Sequence, residues 1–487
     1  MERSFDNDNQ EDEQEEEVEV QSQGRDTDES GKYFLELGLL FLFIGNNLVQ
    51  TLLQNQIIKQ SCTYLGYNQS ICDIINLNEN STKDIEEKIQ PYVANIDMIT
   101  TLFHTITPAI LSLFLGNWSD LYGRKKILCS TFLGYTLTLT LFAAVCFYSE
   151  NIQSLSPWFY VYCYIPATVA GGWPSLLTAA LCYITDTVHL SARSRRLTII
   201  ELIIFLGVLI GTFFCSSILA LTDAPTVFII ASVLAMFGFL VITFFVDESI
   251  PSNDVSTIEK AKNLFSPVII VNLFKTCFKR RAFKGRRILL LLILILALIV
   301  FTFNGNSTVG YLFVREKFSW NLKQNNQFES YSIVCSLLGS VFGFAILKKV
   351  FKFSDISLTC LALFCYSLDS FLKAFATETW EMYAITSVTL FKILGSPMIR
   401  TLMSTIIPHD EIGKIFSITT SFEALSTFAA SPLYAFVYKS TLTTFAGCFF
   451  LITAGVNIVN LFIAFYIAYL KKIRESLINP YEQIENN

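Results

Sequence analysis

Twelve long apolar runs constrain the fold of this chain more than any other feature of its sequence. Most of them reach about 20 residues, the length at which an α-helix crosses roughly 30 Å of hydrocarbon. Hydrophobic residues make up 52% of the 487 residues and charged residues only 16%, too little charge for a soluble protein of this size. The short alternating segments of a membrane β-barrel are absent. The sequence predicts an all-α polytopic membrane protein with twelve transmembrane helices, at 33–58, 91–116, 126–148, 158–186, 197–221, 226–247, 287–313, 327–348, 354–375, 380–406, 414–438 and 441–470.

The longest polar break between the runs, residues 248–286, follows the sixth run. Six helices on each side of such a break are typical of membrane proteins built from two pseudo-symmetric halves around a central site. The segment before the first run is acidic and nearly free of large apolar residues, so we expect it to be disordered. The predicted regions are a disordered acidic cytoplasmic tail at 1–32, a six-helix half at 33–247, a cytoplasmic central loop at 248–286, a second six-helix half at 287–470 and a cytoplasmic tail at 471–487.

Basic residues mark one side of the predicted bundle. The loops after spans 2, 4, 6, 8 and 10 carry Lys or Arg, whereas the loops after spans 3 and 5 carry none. Because cytoplasmic loops are enriched in these residues, we expect both chain termini to be cytoplasmic. In the central loop, aromatic residues interleave with the cations of 272–287, which favours an interfacial helix on an anionic leaflet over a nucleic-acid site.

The loop at 59–90 is then on the outer side of the membrane. Cys62 and Cys72 share this oxidising environment, and we expect them to form a disulfide; two free thiols are the alternative. The Asn-x-Ser/Thr triplets at Asn68 and Asn80 are accessible to glycosylation on this side.

A polar turn at 116–126, Gly-Asn-Trp-Ser-Asp-Leu-Tyr-Gly-Arg-Lys-Lys, separates the second and third runs. It resembles the loop pattern of the major facilitator superfamily between transmembrane helices 2 and 3, Gly-x-x-x-Asp-(Arg/Lys)-x-Gly-Arg-(Arg/Lys). The matching residues are Gly116, Asp120, Gly123, Arg124 and Lys125, and Leu121 departs from the basic residue usual in the family. The resemblance implies that Asp120 and Arg124 belong to the latch of a cytoplasmic gate.

Ionisable side chains inside membrane spans are costly to keep there, so each of them is a functional candidate. Glu201 lies more than one turn inside span 5. A carboxyl group in this position can take up and release a proton during a reaction cycle. The alternative is a structural ion pair with Arg195 or Arg196.

Arg400 is the corresponding cation in span 10, about two turns from the cytoplasmic end. Gly395 and Pro397 precede it and are expected to loosen the helix, as happens where helices bend around a binding site. A guanidinium group can bind a carboxylate or a phosphate as a two-pronged fork. The alternative is that Arg400 extends to the cytoplasmic surface.

Lys392 lies eight residues before Arg400, so that the two cations share a broad face of an unbroken helix. Glu423, midway through span 11, is the expected counter-charge for both. Two buried cations with one or two carboxylates make a site suited to organic anions.

Three further groups of charged residues lie in the spans. Asp97 and His104 are seven residues apart on one face of span 2 and are candidates to line the same cavity; the alternative is that they only satisfy neighbouring polar groups. Asp369 and Lys373 are four residues apart in span 9 and are expected to pair locally. Asp186 ends span 4 at the cytoplasmic edge, where we expect Arg193 or Arg195 to reach it, and it is a gating candidate.

Several segments are similar to solute carrier family 46, which contains the proton-coupled folate transporter and the thymic stromal cotransporter. They include Gly171-Gly-Trp-Pro…Tyr-Ile-Thr-Asp186 at the end of span 4, Pro397-Met-Ile-Arg400 in span 10 and Glu423-Ala-Leu…Ser431-Pro-Leu-Tyr434 in span 11. The resemblance covers most of the chain and implies proton-coupled import of anionic organic solutes. It implies Glu201 as the proton-coupling carboxylate and Arg400 as the substrate-linked arginine.

The folate transporter has a functional histidine in span 7 and a disulfide to the loop after that span. This chain has no His in span 7 and no Cys at 314–327. Other members of the family move peptidoglycan fragments and cyclic dinucleotides. The candidate solutes are therefore folate-like anions, muropeptides and cyclic dinucleotides, and folate itself is not favoured.

The sequence predicts a monomeric secondary active transporter of organic anions that uses alternating access and a proton gradient, and not an enzyme. No Gly-x-x-x-x-Gly-Lys-(Ser/Thr) segment is present, which argues against a nucleotide-driven pump, and we expect neither a cofactor nor a metal. A solute-binding receptor or sensor and an uncoupled carrier are the alternatives. The expected location is the plasma membrane, or else an endosomal or lysosomal membrane, since Tyr481-Glu-Gln-Ile484 resembles a sorting signal.

Overall fold

The computed structural model describes residues 33–68, 72, 83–151, 155–249, 267–281, 284–320, 322–408 and 411–485. Within these ranges the chain is helical apart from turns and short connections, and it contains no β-strand. The acidic tail at 1–32 and Asn80 lie outside the described residues.

Six membrane-spanning segments form the N-terminal half, and the fourth of them is a series of three helices. The helices are α1 (Phe34–Tyr64), α2 (Lys83–Tyr122), α3 (Arg124–Asn151), α4 (Phe159–Cys163), α5 (Ile165–Val169), α6 (Gly172–Thr187), α7 (Leu190–Leu221) and α8 (Ala224–Phe245). The break before α6 falls at Gly171 and Gly172, whose φ angles of 89° and 53° are in the left-handed region that glycine adopts readily.

The C-terminal half repeats the pattern after a short helix in the central segment. The helices are α9 (Pro267–Phe278) in that segment, then α10 (Gly285–Phe318), α11 (Leu322–Phe342, continued by a π-helix at Gly343–Val350), α12 (Asp355–Phe375), α13 (Thr379–Val388), α14 (Gly395–Ile406), α15 (Ile412–Phe445) and α16 (Cys448–Glu485). A 3₁₀ turn at Leu390–Leu394 joins α13 to α14.

Ten helices or helix series in the described chain are long and apolar enough to cross a membrane, and the bent pair around the 3₁₀ turn would be an eleventh. The remaining predicted span, 414–438, falls in α15. This helix has 34 residues but is too polar to be recognised by its apolarity. Its buried polar residues, which include Ser417, Thr420 and Ser421, face the other half of the protein.

The outer surface of the bundle is apolar. Phe244, Phe436 and Phe462 are each more than two-thirds exposed, at 73%, 69% and 68%. Soluble monomers rarely expose so many large apolar side chains, whereas lipid tails solvate them. The chain is therefore a multi-pass membrane protein.

The turn at Gly123, the central segment and both ends of the described chain lie on one side of the bundle. We call this side the basic face, because it carries the cations of 124–126 and 275–287. Near it, α2 packs directly against α15. Ser112 Oγ lies 2.6 Å from Ser421 Oγ, and Ser417 donates to the carbonyl oxygen of Ser112. A side chain at Gly116 would collide with Ser417, so glycine is required for this close approach.

Other contacts extend the seam between the halves. Thr178 Oγ1 on α6 lies 2.7 Å from Thr420 Oγ1 on α15, and Arg193 Nη1 on α7 donates to the Ser404 carbonyl oxygen at 3.3 Å. These inter-half hydrogen bonds lie within about three helical turns of the basic face. The two halves are therefore closed against each other on that face.

Helix α9 covers this seam, because it packs against both α2 and α15 and buries Leu273 and Cys277. Glu411, at the start of α15, accepts hydrogen bonds from Lys279 Nζ at 2.7 Å and Arg281 Nη2 at 2.6 Å. Burial opposes ionisation of Glu411, but the hydrogen bonds from the two cations outweigh it and lower its pKa. A helix is thus present in the segment predicted to lie on the membrane surface, but it ends at Phe278, before most of the cations, and it turns one face toward the protein.

Candidate functional site

Arg400 lies at the centre of a buried charge cluster that joins the two halves. Its Nη2 is 3.1 Å from both carboxylate oxygens of Glu423 on α15, and its Nε is 3.5 Å from Glu201 Oε1 on α7. Ser396 Oγ, one turn before Arg400 on α14, donates to Glu201 at 2.9 Å. We call Glu201, Arg400 and Glu423 the interface cluster.

The interface cluster holds three charged groups away from solvent. The exposed fractions of the side chains are 5% for Arg400, 6% for Glu423 and 13% for Glu201. A buried arginine must be paired, so the alternative in which Arg400 extends to the surface is wrong. The structural alternative for Glu201 is also wrong as stated, because Arg196 pairs with Glu36 at 3.0 Å and the cation beside Glu201 is Arg400.

The interface cluster has a net negative charge and one unused hydrogen-bond donor. With all three groups ionised it carries one positive and two negative charges, and Arg400 Nη1 is buried without a hydrogen-bond partner in the described structure. A small cavity adjoins Glu201 between α7, α11 and α14. Its lining includes Thr198, Phe205, Ser336, Ser340 and Pro397.

Lys392 lies in a different cluster from Arg400. Its Nζ is 3.2 Å from Asp369 Oδ1 on α12, and Lys373 Nζ is 3.0 Å from Asp369 Oδ2. Glu329 on α11 interacts electrostatically with both lysines. We call Glu329, Asp369, Lys373 and Lys392 the C-half cluster, because all four belong to the C-terminal half.

The expectation that Glu423 neutralises both Lys392 and Arg400 is therefore wrong for Lys392. An eight-residue spacing places two side chains on one face only in a continuous α-helix, but Leu390–Leu394 is a 3₁₀ turn and the two parts of this span meet at 49°. A 3₁₀ turn has about three residues per turn, so it rotates Lys392 toward α12. The bend also lies before Gly395, not at Pro397. The local pair of Asp369 with Lys373 is present as expected.

The turn between α2 and α3 carries a second network at the basic face. Arg124 Nε lies 2.9 Å from Asp186 Oδ2 on α6, and Arg124 Nη1 donates to Ser119 Oγ at 2.6 Å. Glu248 Oε1 accepts from the Arg124 backbone N–H at 2.6 Å and thereby caps α3. Asp186 thus pairs with Arg124 and not with the nearby Arg193, whose Nη2 donates to the Thr185 carbonyl oxygen at 2.9 Å.

The remaining candidates lie elsewhere. Asp120 and Asp97 belong to α2, and their side chains are outside what the structure describes. The His104 ring contacts Tyr164 edge-on, with 4.9 Å between ring centroids. Cys62 and Cys72 form a disulfide with their Cα atoms 5.7 Å apart, and Asn68 beside them is exposed.

Sequence reasoning missed four charged residues with clear structural roles. They are Glu36 and Glu411, which form ion pairs, Glu248, which caps α3, and Glu329, which interacts electrostatically with Lys373 and Lys392. Glu36 and Glu329 lie inside predicted spans, so the cost of burying a charge was a signal that could have found them. Glu248 and Glu411 lie in loops, where nothing in the sequence distinguishes them from solvated residues.

Comparisons with known proteins agree with this architecture. The family model described as Major Facilitator Superfamily matches residues 37–431. A relative from Drosophila melanogaster, named probable peptidoglycan muropeptide transporter SLC46, is 33% identical over 441 residues, covering 88% of this chain and 85% of the relative. The Gallus gallus lysosomal proton-coupled steroid conjugate and bile acid symporter SLC46A3 is 23% identical over 449 residues, covering 88% and 93%.

Solved structures show the same fold. The human organic anion transporter MFSD10 superposes with a TM-score of 0.69 at 15% identity, covering 90% of this chain and 100% of that one. The Escherichia coli fucose:proton symporter FucP gives a TM-score of 0.60 at 16% identity, covering 90% and 98%. The chain is a transporter of the major facilitator superfamily and, within it, belongs to the solute carrier 46 family.

Proposed function

We propose that this protein is a proton-coupled symporter that carries organic anions by alternating access. The observation that carries the proposal is Arg400, buried between Glu201 of the N-terminal half and Glu423 of its own half. A cation that binds both halves through carboxylates links three events: protonation, anion binding and separation of the halves.

The charges of the interface cluster suggest the order of these events. With both carboxylates ionised, the cluster carries a net negative charge and repels an anion. Protonation of Glu201 removes that repulsion and releases one side of the guanidinium group, which can then bind a carboxylate, sulfate or phosphate of the solute. The proton and the anion are thus taken up together.

The seam at the basic face supports an assignment of the conformation. If the basic face is cytoplasmic, as its cations suggest, the structure is closed to the cytoplasm. Arg124, Asp186 and, by its position, Asp120 act as the latch of this gate in our proposal. Asp97 and His104 on α2 are proposed to line the path of the solute above the seam.

The choice of solute rests on the relatives. A muropeptide is the first candidate because the Drosophila melanogaster relative is named for that solute, and steroid conjugates and bile acids follow from the name of the Gallus gallus relative. All of these are acidic, as the arginine site requires. The name of the second relative and the Tyr481–Ile484 segment favour an endosomal or lysosomal membrane over the plasma membrane, with the protein acting as a monomer glycosylated at Asn68 or Asn80.

Uptake of a labelled anion panel tests this proposal. The panel contains a muropeptide, a sulfated bile acid, a cyclic dinucleotide and folate, each measured at about pH 5.5 and about pH 7.5, which bracket the range in which protein groups can couple to protons. We expect one member to enter faster at the acidic pH. Glu201→Gln should remove the pH dependence and Arg400→Gln should remove uptake, while Glu316→Gln and Lys349→Gln serve as matched controls.

Two outcomes would favour the alternatives. Uptake with an unchanged pH dependence in Glu201→Gln would indicate an uncoupled carrier. Binding of one solute by the purified protein without uptake at either pH would indicate a receptor or sensor, and removal of residues 1–31 should then abolish its signal.

A further inference from the structure

The C-half cluster is placed where a solute in the central cleft can reach it. Glu329 precedes Ser336 by seven residues and Ser340 by eleven on α11, spacings that bring all three onto one helix face. Ser336 and Ser340 line the cavity beside Glu201. Glu329 therefore points into the cleft between the halves, roughly 10 Å farther from the basic face than Ser336. In the structure its side chain is exposed.

The two lysines of the cluster share a single fully paired carboxylate. Asp369 Oδ1 accepts from Lys392 Nζ and from Thr389 Oγ1, at 3.2 and 2.7 Å, and Oδ2 accepts from Lys373 Nζ at 3.0 Å. Asp369 and Lys373 are buried, whereas the Lys392 side chain is 13% exposed. Glu329 forms no ion pair with any cation in the described part of the chain. Asp369 neutralises only one of the two lysine charges. Glu329 compensates the second charge by electrostatic interaction without direct contact.

Other groups around Glu329 do not change this balance. Lys392 faces it from the 3₁₀ turn, Lys373 and Asp369 face it from α12, and Tyr383 of α13 packs against its neighbours Phe328 and Tyr331. Glu201, on α7, belongs to the interface cluster nearer the basic face. With Glu329 ionised the C-half cluster is neutral, and with Glu329 protonated it carries one positive charge.

We propose that the C-half cluster is a second anion-binding subsite, in which protonation of Glu329 lets an acidic group of the solute take its place beside Lys392 and Lys373. Lys392 lies in the 3₁₀ turn and Arg400 eight residues later in α14, so that, at about 2.0 Å and about 1.5 Å of rise per residue, the two subsites lie roughly 13 Å apart. An elongated solute with an acidic group at each end would engage both. The assignment of the second acidic group to Arg400 rests on the proposed function; the subsite itself does not.

Sulfate is the probe for the subsite itself. Thermal unfolding of the purified protein is measured in sodium sulfate and in sodium chloride of equal ionic strength. At about pH 5.5 we expect sulfate to raise the Tm of the wild type by about 3 °C, and less near pH 7.5. Glu329→Gln should show the larger shift at both values. Lys392→Gln should lose it, Lys392→Arg should retain it, and Arg400→Gln should leave it in place.

The control Lys349→Gln removes an exposed lysine at the basic face and measures the general stabilising effect of sulfate. An equal sulfate shift in the wild type and in Lys392→Gln, or no change in its pH dependence in Glu329→Gln, would overturn the proposal. Because Glu329 is exposed to the cleft, its variant should fold even if the lysine variants do not.

A matched pair of solutes then tests whether the protein prefers an elongated solute with an acidic group at each end. Taurolithocholate has one acidic group, and taurolithocholate 3-sulfate has the same skeleton with a second acidic group at the opposite end. We expect the wild type to bind the sulfated compound about tenfold more tightly, the gain of one charge-assisted contact. Lys392→Gln should erase this preference and Lys392→Arg should restore it. Equal affinities for the two compounds in the wild type would refute a preference for such solutes, while the sulfate experiment decides the subsite independently of any transport.

Discussion

The two charge clusters of this protein differ in what they hold together. The interface cluster joins the halves, because Glu201 comes from α7 and Arg400 and Glu423 come from the C-terminal half. The C-half cluster joins α11, α12 and the 3₁₀ turn within one half. When the halves rock apart, the ion pair between Glu201 and Arg400 must break, whereas the pairs of Asp369 can persist. Position in the fold therefore suits the first cluster to coupling and the second to binding.

The seam that keeps the halves together should show the largest effect. In the double variant Ser112→Cys with Ser421→Cys, the new thiols replace hydroxyl groups that are 2.6 Å apart across the halves. Oxidation should close the basic face and abolish uptake, and reduction should restore it. The matched control is Thr140→Cys with Ser232→Cys, whose hydroxyl oxygens are 2.7 Å apart within the N-terminal half. Equal inhibition of both double variants on oxidation would contradict the role of the seam.

Arg400→Gln should cause the next largest loss. It leaves Glu201 and Glu423 without their cation, and a buried pair broken on one side costs about 3–5 kcal/mol. We expect uptake to fall by at least about 100-fold. Surface expression and thermal stability are the controls, and Arg400→Lys should recover only a fraction because it lacks the planar fork. Full activity of Arg400→Gln would contradict the role of this cation in anion binding.

Asp369→Asn separates the two clusters by their coupling to protons. It leaves the buried Lys373 and the partly buried Lys392 without the carboxylate that both contact, and it should lower the stability of the protein by about 3 kcal/mol, measured by thermal unfolding. Because the interface cluster is intact, the solute that still enters should bring protons with it, as in the wild type. Solute entry without proton movement would show that the clusters act as one unit.

The contacts of Glu411 with Lys279 and Arg281 hold α9 over the seam, and we call them the α9 clasp. Loss of this clasp should show the smallest effect. Glu411→Gln removes the negative charge and one of the two carboxylate oxygens that Lys279 and Arg281 contact, so Cys277, which is 3% exposed, should react with a maleimide several-fold faster than in the wild type at the same pH. Because the pKa of Glu411 is lowered, its stabilising effect is complete above the ordinary carboxyl pKa and disappears only as the pH falls through the lower value of the folded protein. Acidification to about pH 5.5 should therefore leave the clasp closed. A wild-type clasp that opened at this pH would contradict the assignment.

Much of the fold could be predicted from the sequence because burial in lipid demands long apolar helices, and their number and order follow from counting. The exception is α15. Its polar face packs against the other half, so the helix is not apolar enough to be recognised as a membrane span by composition. Helix ends were also less predictable: α2 begins at Lys83 and α16 continues to Glu485, since polar helical turns extend beyond the hydrocarbon.

The site could be predicted in part. The cost of a charge in the membrane was sufficient to single out Glu201, Arg400 and Glu423, and the structure brings these three together. It was not sufficient to assign partners. Lys392 contacts Asp369 because a 3₁₀ turn interrupts its helix, and no residue type in Leu390–Leu394 predicts that turn. Arg124 reached Asp186 across two helices, a contact that only packing determines.

The most direct test of the account is the proton flux that accompanies solute entry. Purified protein in liposomes containing a pH-sensitive dye is given the solute identified by the uptake panel, without an imposed pH gradient. We predict that solute entry acidifies the interior for the wild type and that Glu201→Gln, in liposomes preloaded with labelled solute, exchanges solute without moving protons. Solute-driven acidification of equal size in Glu201→Gln would contradict the claim that the interface cluster couples the proton to the anion.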